Sequence, residues 1–183
     1  MCNEDASGDV SPEIPRGVDC WRVVAASVRG TSHQKWQQPC QDAHYWDTVH
    51  DDVLVAAVAD GASSAALGKV GATLAVCAAA TTVCARHQRT VYPENDEVWR
   101  QWLVDAMRAA QATVVAEAQA RQVTVRELAT TLILVVAMPA RVAVAQIGDG
   151  AVVVSDMAGN LIPLTVPGSV RGNYGAIISV HAT

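Results

Sequence analysis

Phenylalanine is absent from this chain, and aromatic residues of any kind are few: five Trp and three Tyr among 183 residues. A core built without Phe must be filled by Ala, Val, Leu and Ile. With 51% of residues apolar, a chain of this length can still bury a real core. Charge is also scarce, at 17% of residues and a net −5. That balance excludes the clustered Lys and Arg of a nucleic-acid footprint. A mild acidic excess fits ordinary solubilising surface, and it is also what carboxylate sites for divalent cations leave behind.

Paired cysteine motifs are missing too. Cys2, Cys20, Cys40, Cys77 and Cys84 contain no CxxC pair, and five is an odd number. This argues against a disulfide framework or a zinc knuckle and suits a reducing, cytoplasmic setting. Cys77 and Cys84, seven apart, share a helix face and read as small buried hydrophobes. The N-terminus, MCNEDASGDVSPEIPRG, has neither a basic nor an apolar signal region, so no signal peptide is expected. The most apolar stretch, 70–85, is shorter than the ~20 residues a spanning helix needs. It reads as a packed core helix, with no membrane partner. Walker A, GxGxxG, HExxH and GxSxG patterns are all absent.

What is present has a clear order. Residues 1–20 are rich in Asp, Glu, Ser, Pro and Gly and read as a flexible leader before one domain over 21–183. Residues 22–28, RVVAASV, predict a strand, and 31–52 a polar loop running into a second strand edge. The run 53–59, VLVAAVA, predicts a strand buried on both faces. Residues 66–88 are Ala-rich without Pro and predict a helix. Asp96 is a suitable N-cap for a second helix over 97–122. Its Trp99, Trp102, Leu103, Ala106, Met107, Ala110 and Val114 form one apolar stripe. Strands follow at 130–137, 141–147, 151–155 and 161–165, joined by short turns. Tight connections imply antiparallel pairing, and two long helices between strand groups imply a layered α+β domain.

Three aspartates lie where polar side chains are costly unless paired. Asp60 directly follows the 53–59 strand and precedes Gly61. Asp149 follows the 141–147 strand between Gly148 and Gly150. Asp42 sits in the sequence Cys40-Gln41-Asp42-Ala43-His44. A strand-end carboxylate beside bare glycine backbone offers the oxygen donors that Mg²⁺ and Mn²⁺ take. Asp-Gly is also a common turn dipeptide, so one instance alone signifies little. His33, in Gly30-Thr31-Ser32-His33, could hold a phosphate oxygen or simply sit in an exposed loop. His44 is a candidate supporting partner for the Asp42 region or an exposed strand-edge residue. Ser63 and Ser64 have no identifiable base and read as capping hydroxyls.

In order, these segments resemble a known family. Residues 26–33, ASVRGTSH, with 39–43, PCQDA, resemble the first motif of bacterial protein phosphatase 2C-like domains. VAAVADG at 55–61 is similar to the second. ELATTLILVV at 127–136 is similar to a strand that begins with a Gly/Ala-Thr-Thr step, and AQIGDGAV at 145–152 resembles the Gly-Asp motif. The likeness covers about residues 21–166. It implies an α+β fold, a four-layer α-β-β-α sandwich of two antiparallel sheets flanked by helix pairs. It also implies hydrolysis of phosphoserine and phosphothreonine in proteins with two Mn²⁺ or Mg²⁺ ions. The implied partner is a phosphorylated protein substrate of a Ser/Thr kinase in bacterial signalling. By the same resemblance, Asp42 would bind one ion, Asp60 would bridge two, and the Gly61 carbonyl would bind one. Asp149 matches the aspartate linked to a third, weaker ion in some members. His33 stands where many members carry a phosphate-binding arginine, and Gln41 replaces a common acidic residue.

The family carries two further metal aspartates, in Asp-Gly and Asp-Asn motifs, after the Gly-Asp strand. No Asp follows Asp156 here, and the tail 167–183 drifts from the pattern near 172. The domain is therefore expected to be incomplete at its C-terminus. Two alternatives stand beside the phosphatase: a catalytically inactive phosphoprotein-binding module, and a truncated fragment with the same fold.

Overall fold

The computed structural model describes residues 21–29, 39–49, 52–87, 93, 95–139 and 141–165, and the backbone of 174–179. The expected leader at 1–20 lies outside the described residues. A five-stranded, wholly antiparallel sheet organises the molecule, in the order β1-β2-β3-β4-β7. Its strands are β1 (Asp42–Val49), β2 (Val53–Asp60), β3 (Leu132–Met138), β4 (Arg141–Ile147) and β7 (Tyr174–Ser179). A separate hairpin joins β5 (Val153–Ser155) to β6 (Leu161–Pro163).

Two helices, α1 (Gly68–His87) and α2 (Asp96–Arg121), cover one face of the large sheet. Strand side chains alternate, so Val53, Val55, Ala57 and Ala59 face the helices and are buried. Helix α1 meets them with Ala72, Ala75, Val76, Ala79, Ala80 and Val83, at the three- and four-residue spacing of one helical face. These small side chains let the helix lie close to the sheet and to α2. Gly71 brings α1 equally close to the 3-10 turn Val125–Leu128, where a Cβ would collide with the Leu128 carbonyl. By length and composition α1 could cross a membrane, but here its apolar residues are used in the core.

Helix α2 begins at Asn95, whose side chain accepts a hydrogen bond from the Glu97 N–H at 2.7 Å. The cap is thus one residue earlier than the predicted Asp96, which instead joins the first turn with Glu97. The predicted stripe is the buried face, with Trp99, Trp102, Leu103, Ala106, Ala110 and Val114 inside and Met107 partly so. Trp99 and Trp102 pack with ring centroids 5.4 Å apart, and Trp99 Nε1 donates to the Pro93 carbonyl at 2.9 Å. Two indoles thus supply much of the bulk that Phe does not.

Four expectations change. Residues 21–29 form no strand; the segment runs beside β1, held by side chains rather than a backbone ladder. Trp21 Nε1 donates to the Asp52 carbonyl at 2.8 Å, and Ser27 Oγ meets His44 Nδ1 at 2.8 Å. The strand edge expected at the end of the 31–52 loop is a full eight-residue strand, β1, whose outward residues His44, Trp46 and Thr48 mask the alternation. β2 is buried on the helix side only, and Val58 on the other face is 48% exposed. Cys77 takes part in a disulfide, which the cysteine count does not anticipate, while Cys40 and Cys84 are free. The described residues show helices on one sheet plus a two-stranded hairpin, a coarser arrangement than the full four layers expected.

Candidate functional site

Asp42 opens β1 and Asp60 closes β2, and the antiparallel register makes them direct cross-strand partners. Residues so paired have Cα atoms about 4.5–5.5 Å apart. Both alternate onto the sheet face away from the helices, the face that also carries His44, Trp46 and Val58. Two like charges directly opposite each other destabilise a sheet unless something positive lies between or beside them.

The backbone around the pair is unusually well tied. Gly61 N–H donates to the Gln41 carbonyl at 3.2 Å, and Gly61 bridges Thr130 across the sheet end. A Cβ at Gly61 would strike the backbone of Gly68, so the first residue of α1 rests against the Asp60–Gly61 corner. With its amide assigned so that nitrogen rather than oxygen faces them, Gln41 donates to the carbonyls of Gly61, at 2.9 Å, and Ala62, at 3.3 Å. Lys69, in the first turn of α1, donates from Nζ to the Asp42 carbonyl at 2.8 Å. Cys40 Sγ lies 3.5 Å from Asp42 Oδ2. Asp60 N–H donates to Thr131 Oγ1 at 2.9 Å, and its carbonyl accepts from Thr131 N–H at 2.9 Å and Thr130 Oγ1 at 3.0 Å.

The other candidates are less central. Asp149 is exposed and follows β4, at the same end of the sheet but two strands from Asp60, about 10 Å by strand spacing. Its turn requires Gly148, whose φ of 101° favours glycine. His44 bonds to Ser27 rather than to Asp42. His33 lies outside the described residues. Sequence reasoning noted Thr130 and Thr131 only as part of a motif and passed over Lys69; a cation and two hydroxyls beside a strand-end aspartate were the available signal.

A fit to a hard cation can be judged on the donors. Two carboxylates and a main-chain carbonyl are all oxygen, as Mg²⁺ and Mn²⁺ prefer, and Mg²⁺ commonly takes one or two carboxylates and keeps several waters. One of the two lone pairs of the Gly61 carbonyl is engaged by Gln41, leaving the other. Among the described residues no three His, Cys, Asp or Glu side chains group to hold an ion. The donors fit one ion directly, and a second only through what Asp60 and Gly61 can share. Elsewhere, a cavity of about 600 Å³ lies under α2, floored by Leu103, Met107, Leu128 and Leu132, and neither Asp42 nor Asp60 lines it.

Comparison with known proteins identifies the family and the fold. The protein phosphatase 2C family matches residues 29–177. Serine/threonine-protein phosphatase 3 of Escherichia coli (strain K12) is 36% identical over 149 residues, covering 79% of this chain and 57% of that protein. The fold resembles a bacterial serine phosphatase (TM-score 0.56, 14% identity, 77% of this chain and 64% of that one). It also resembles serine/threonine phosphatase Stp1 from Staphylococcus aureus (TM-score 0.50, 16% identity, 68% of this chain and 46% of that one). The chain thus spans a little over half the length of the curated relative it matches. With the family's motifs matched across most of its length and its fold shared with solved phosphatases, this chain belongs to the protein phosphatase 2C family.

Proposed function

We propose that this chain serves the hydrolysis of phosphoserine and phosphothreonine in proteins, with Mn²⁺ or Mg²⁺ as cofactor. The observation that carries the reading is the register that sets Asp42 directly opposite Asp60 at one end of the sheet. Family membership and the activity named for the Escherichia coli relative support the same chemistry. The substrate class is a phosphorylated protein, made by a Ser/Thr kinase.

Asp42 and Asp60 would hold the metal, with Asp60 shared between two ions and the Gly61 carbonyl as a further donor. When bound, such ions lower the pKa of a water that attacks phosphorus and neutralise phosphoryl oxygens as charge develops. The chain's own contribution is to keep two carboxylates facing each other, a repulsive arrangement that only a braced backbone sustains. Gln41 and Lys69 brace it through the carbonyls of Gly61 and Asp42. His33 would grip the phosphate and Asp149 would attend a third ion. No nucleophilic side chain is required, since water attacks directly. In the same reading the β5–β6 hairpin begins the second sheet of the family's four-layer sandwich.

Hydrolysis of p-nitrophenyl phosphate tests this. Turnover should rise with Mn²⁺, stop on chelation, and fall in Asp60→Asn by more than the 10- to 100-fold typical of residues that merely support a metal ligand. Turnover indifferent to chelation and to Asp60→Asn would overturn the reading. Phosphopeptide binding without turnover would identify a binding module instead.

A further inference from the structure

We propose that Thr131, assisted by Thr130, is a positioning residue that fixes Asp60 for metal binding; this rests on the metal-dependent reading above. The ladder between β2 and β3 pairs Val58 with Ile133, so its continuation sets Asp60 opposite Thr131. In a regular antiparallel pair of this kind the two residues exchange both backbone hydrogen bonds. Here only one is made in that form, from Thr131 N–H to the Asp60 carbonyl at 2.9 Å. The other is replaced: Asp60 N–H turns to the Thr131 hydroxyl at 2.9 Å. Thr130 Oγ1 then lies 3.0 Å from both the Asp60 carbonyl and the Thr131 carbonyl. Two side chains therefore hold the backbone of Asp60 at the point where the strand leaves the sheet. Strand pairing alone would let that end fray.

The second branch of Thr131 explains why threonine suits the position. Its Cγ2 faces Gly148, where an added Cβ would lie 2.5 Å away. A β-branched side chain has few χ1 choices, and contact of the methyl with the Gly148 turn fixes which way the hydroxyl points. Thr131 thus ties Asp60 of β2 to the Gly148–Asp149 turn after β4, so two of the strand ends that carry candidate ligands share one anchor. Metal ligands depend on such outer contacts for orientation, and losing one commonly lowers affinity 10- to 100-fold.

Val and Ser substitutions separate the two branches. Thr131→Val keeps shape and methyl but removes the acceptor for Asp60 N–H. Thr131→Ser keeps the hydroxyl and loses the methyl. Mn²⁺ binding to the full chain, read from the electron paramagnetic resonance signal of free Mn²⁺, should weaken at least about tenfold in Thr131→Val. Thr131→Ser should bind within about threefold of wild type. Amide exchange at Asp60 should quicken at least about tenfold in Thr131→Val and little in Thr131→Ser, while the Ala43–Ala59 pair stays protected. Equal Mn²⁺ affinity in wild type and Thr131→Val overturns the proposal. If wild type and Asp60→Asn bind Mn²⁺ equally weakly, the metal reading fails, and unaltered Asp60 exchange in Thr131→Val then removes the anchor as well. Should Thr131→Val not fold, Thr130→Val decides: a severalfold loss of Mn²⁺ affinity supports the anchor, and wild-type affinity overturns it.

Discussion

The two faces of the large sheet are built on different terms. On the helix side, Val53, Val55, Ala57, Ala59, Leu134 and Val136 are buried against α1 and α2 in one continuous cluster. On the other, among the described residues, Ile133, Ala137, Val144 and Gln146 are buried, Ile133 and Val144 packing with Leu164, while Trp46 and Val58 are each 48% exposed. Asp42 and Asp60 belong to this second face. The contrast separates stability from chemistry. The helix side supplies the burial that holds the strands in register, and the register in turn brings two repelling carboxylates together on the side where the described residues place no helix.

Comparing tryptophans from the two faces breaks or sharpens that division. Trp99→Ala removes a fully buried indole from the helix side and should lower stability by about 3–5 kcal/mol. Trp46→Ser on the open face should change it by no more than about 0.5 kcal/mol. Urea denaturation of both variants measures the difference, and equal losses would mean that the open face also carries the fold. Next in size is Gly71→Ala. Helix propensity alone favours Ala by about 1 kcal/mol, but the new Cβ meets the Leu128 carbonyl, and such overpacking costs about 1–3 kcal/mol. Net destabilisation by thermal melting is expected; a rise in Tm would show that α1 has room to move from the 3-10 turn Val125–Leu128.

The same division governs what could be read from sequence. Both helices are legible from their apolar spacing, and strands β2, β3 and β4 from short apolar runs, although the run in β2 does not tell which face is buried. β1 reads only as a strand edge, since Trp46 and the polar His44 and Thr48 on its outward side hide Ala43 and Val49 beneath. The 22–28 run reads as strand from its β-branched residues, yet propensity cannot supply a ladder partner. At the candidate site, Asp60 and Gly61 stand out locally as a strand end. Their pairing with Asp42 is a matter of register between strands, which no single segment encodes. The hydrogen bond from Asp60 to Thr131 spans 71 residues, so the Thr-Thr step looks like an ordinary strand start until the chain is folded.

The smallest expected effect lies wholly on the helix side. Arg86 of α1 donates to Asp105 of α2 at 2.6 Å, and Gln101 donates to the other carboxylate oxygen at 2.8 Å. The hydrogen bond from Arg86, with that from Gln101, holds the Asp105 carboxyl below its ordinary range. The folded chain therefore stays ionised at acidities where the unfolded chain has taken up a proton. The resulting stability is complete above the ordinary carboxylate value of about 4 and fades as pH falls below it. Because the pair is partly open to solvent, with side chains 36% and 28% exposed, Asp105→Asn should lose no more than about 1 kcal/mol at neutral pH. Denaturation curves for wild type and Asp105→Asn should keep a constant gap from pH 8 to pH 5 and converge in more acid solution. The absence of a gap at neutral pH would mean that the two helices are joined there by packing of Arg86 over the Trp102 ring, at 5.9 Å, which Asp105→Asn leaves in place, and not by charge. On the proposed function, turnover of p-nitrophenyl phosphate per folded molecule should be the same in both proteins, because this pair joins the two helices, away from the face that carries Asp42 and Asp60.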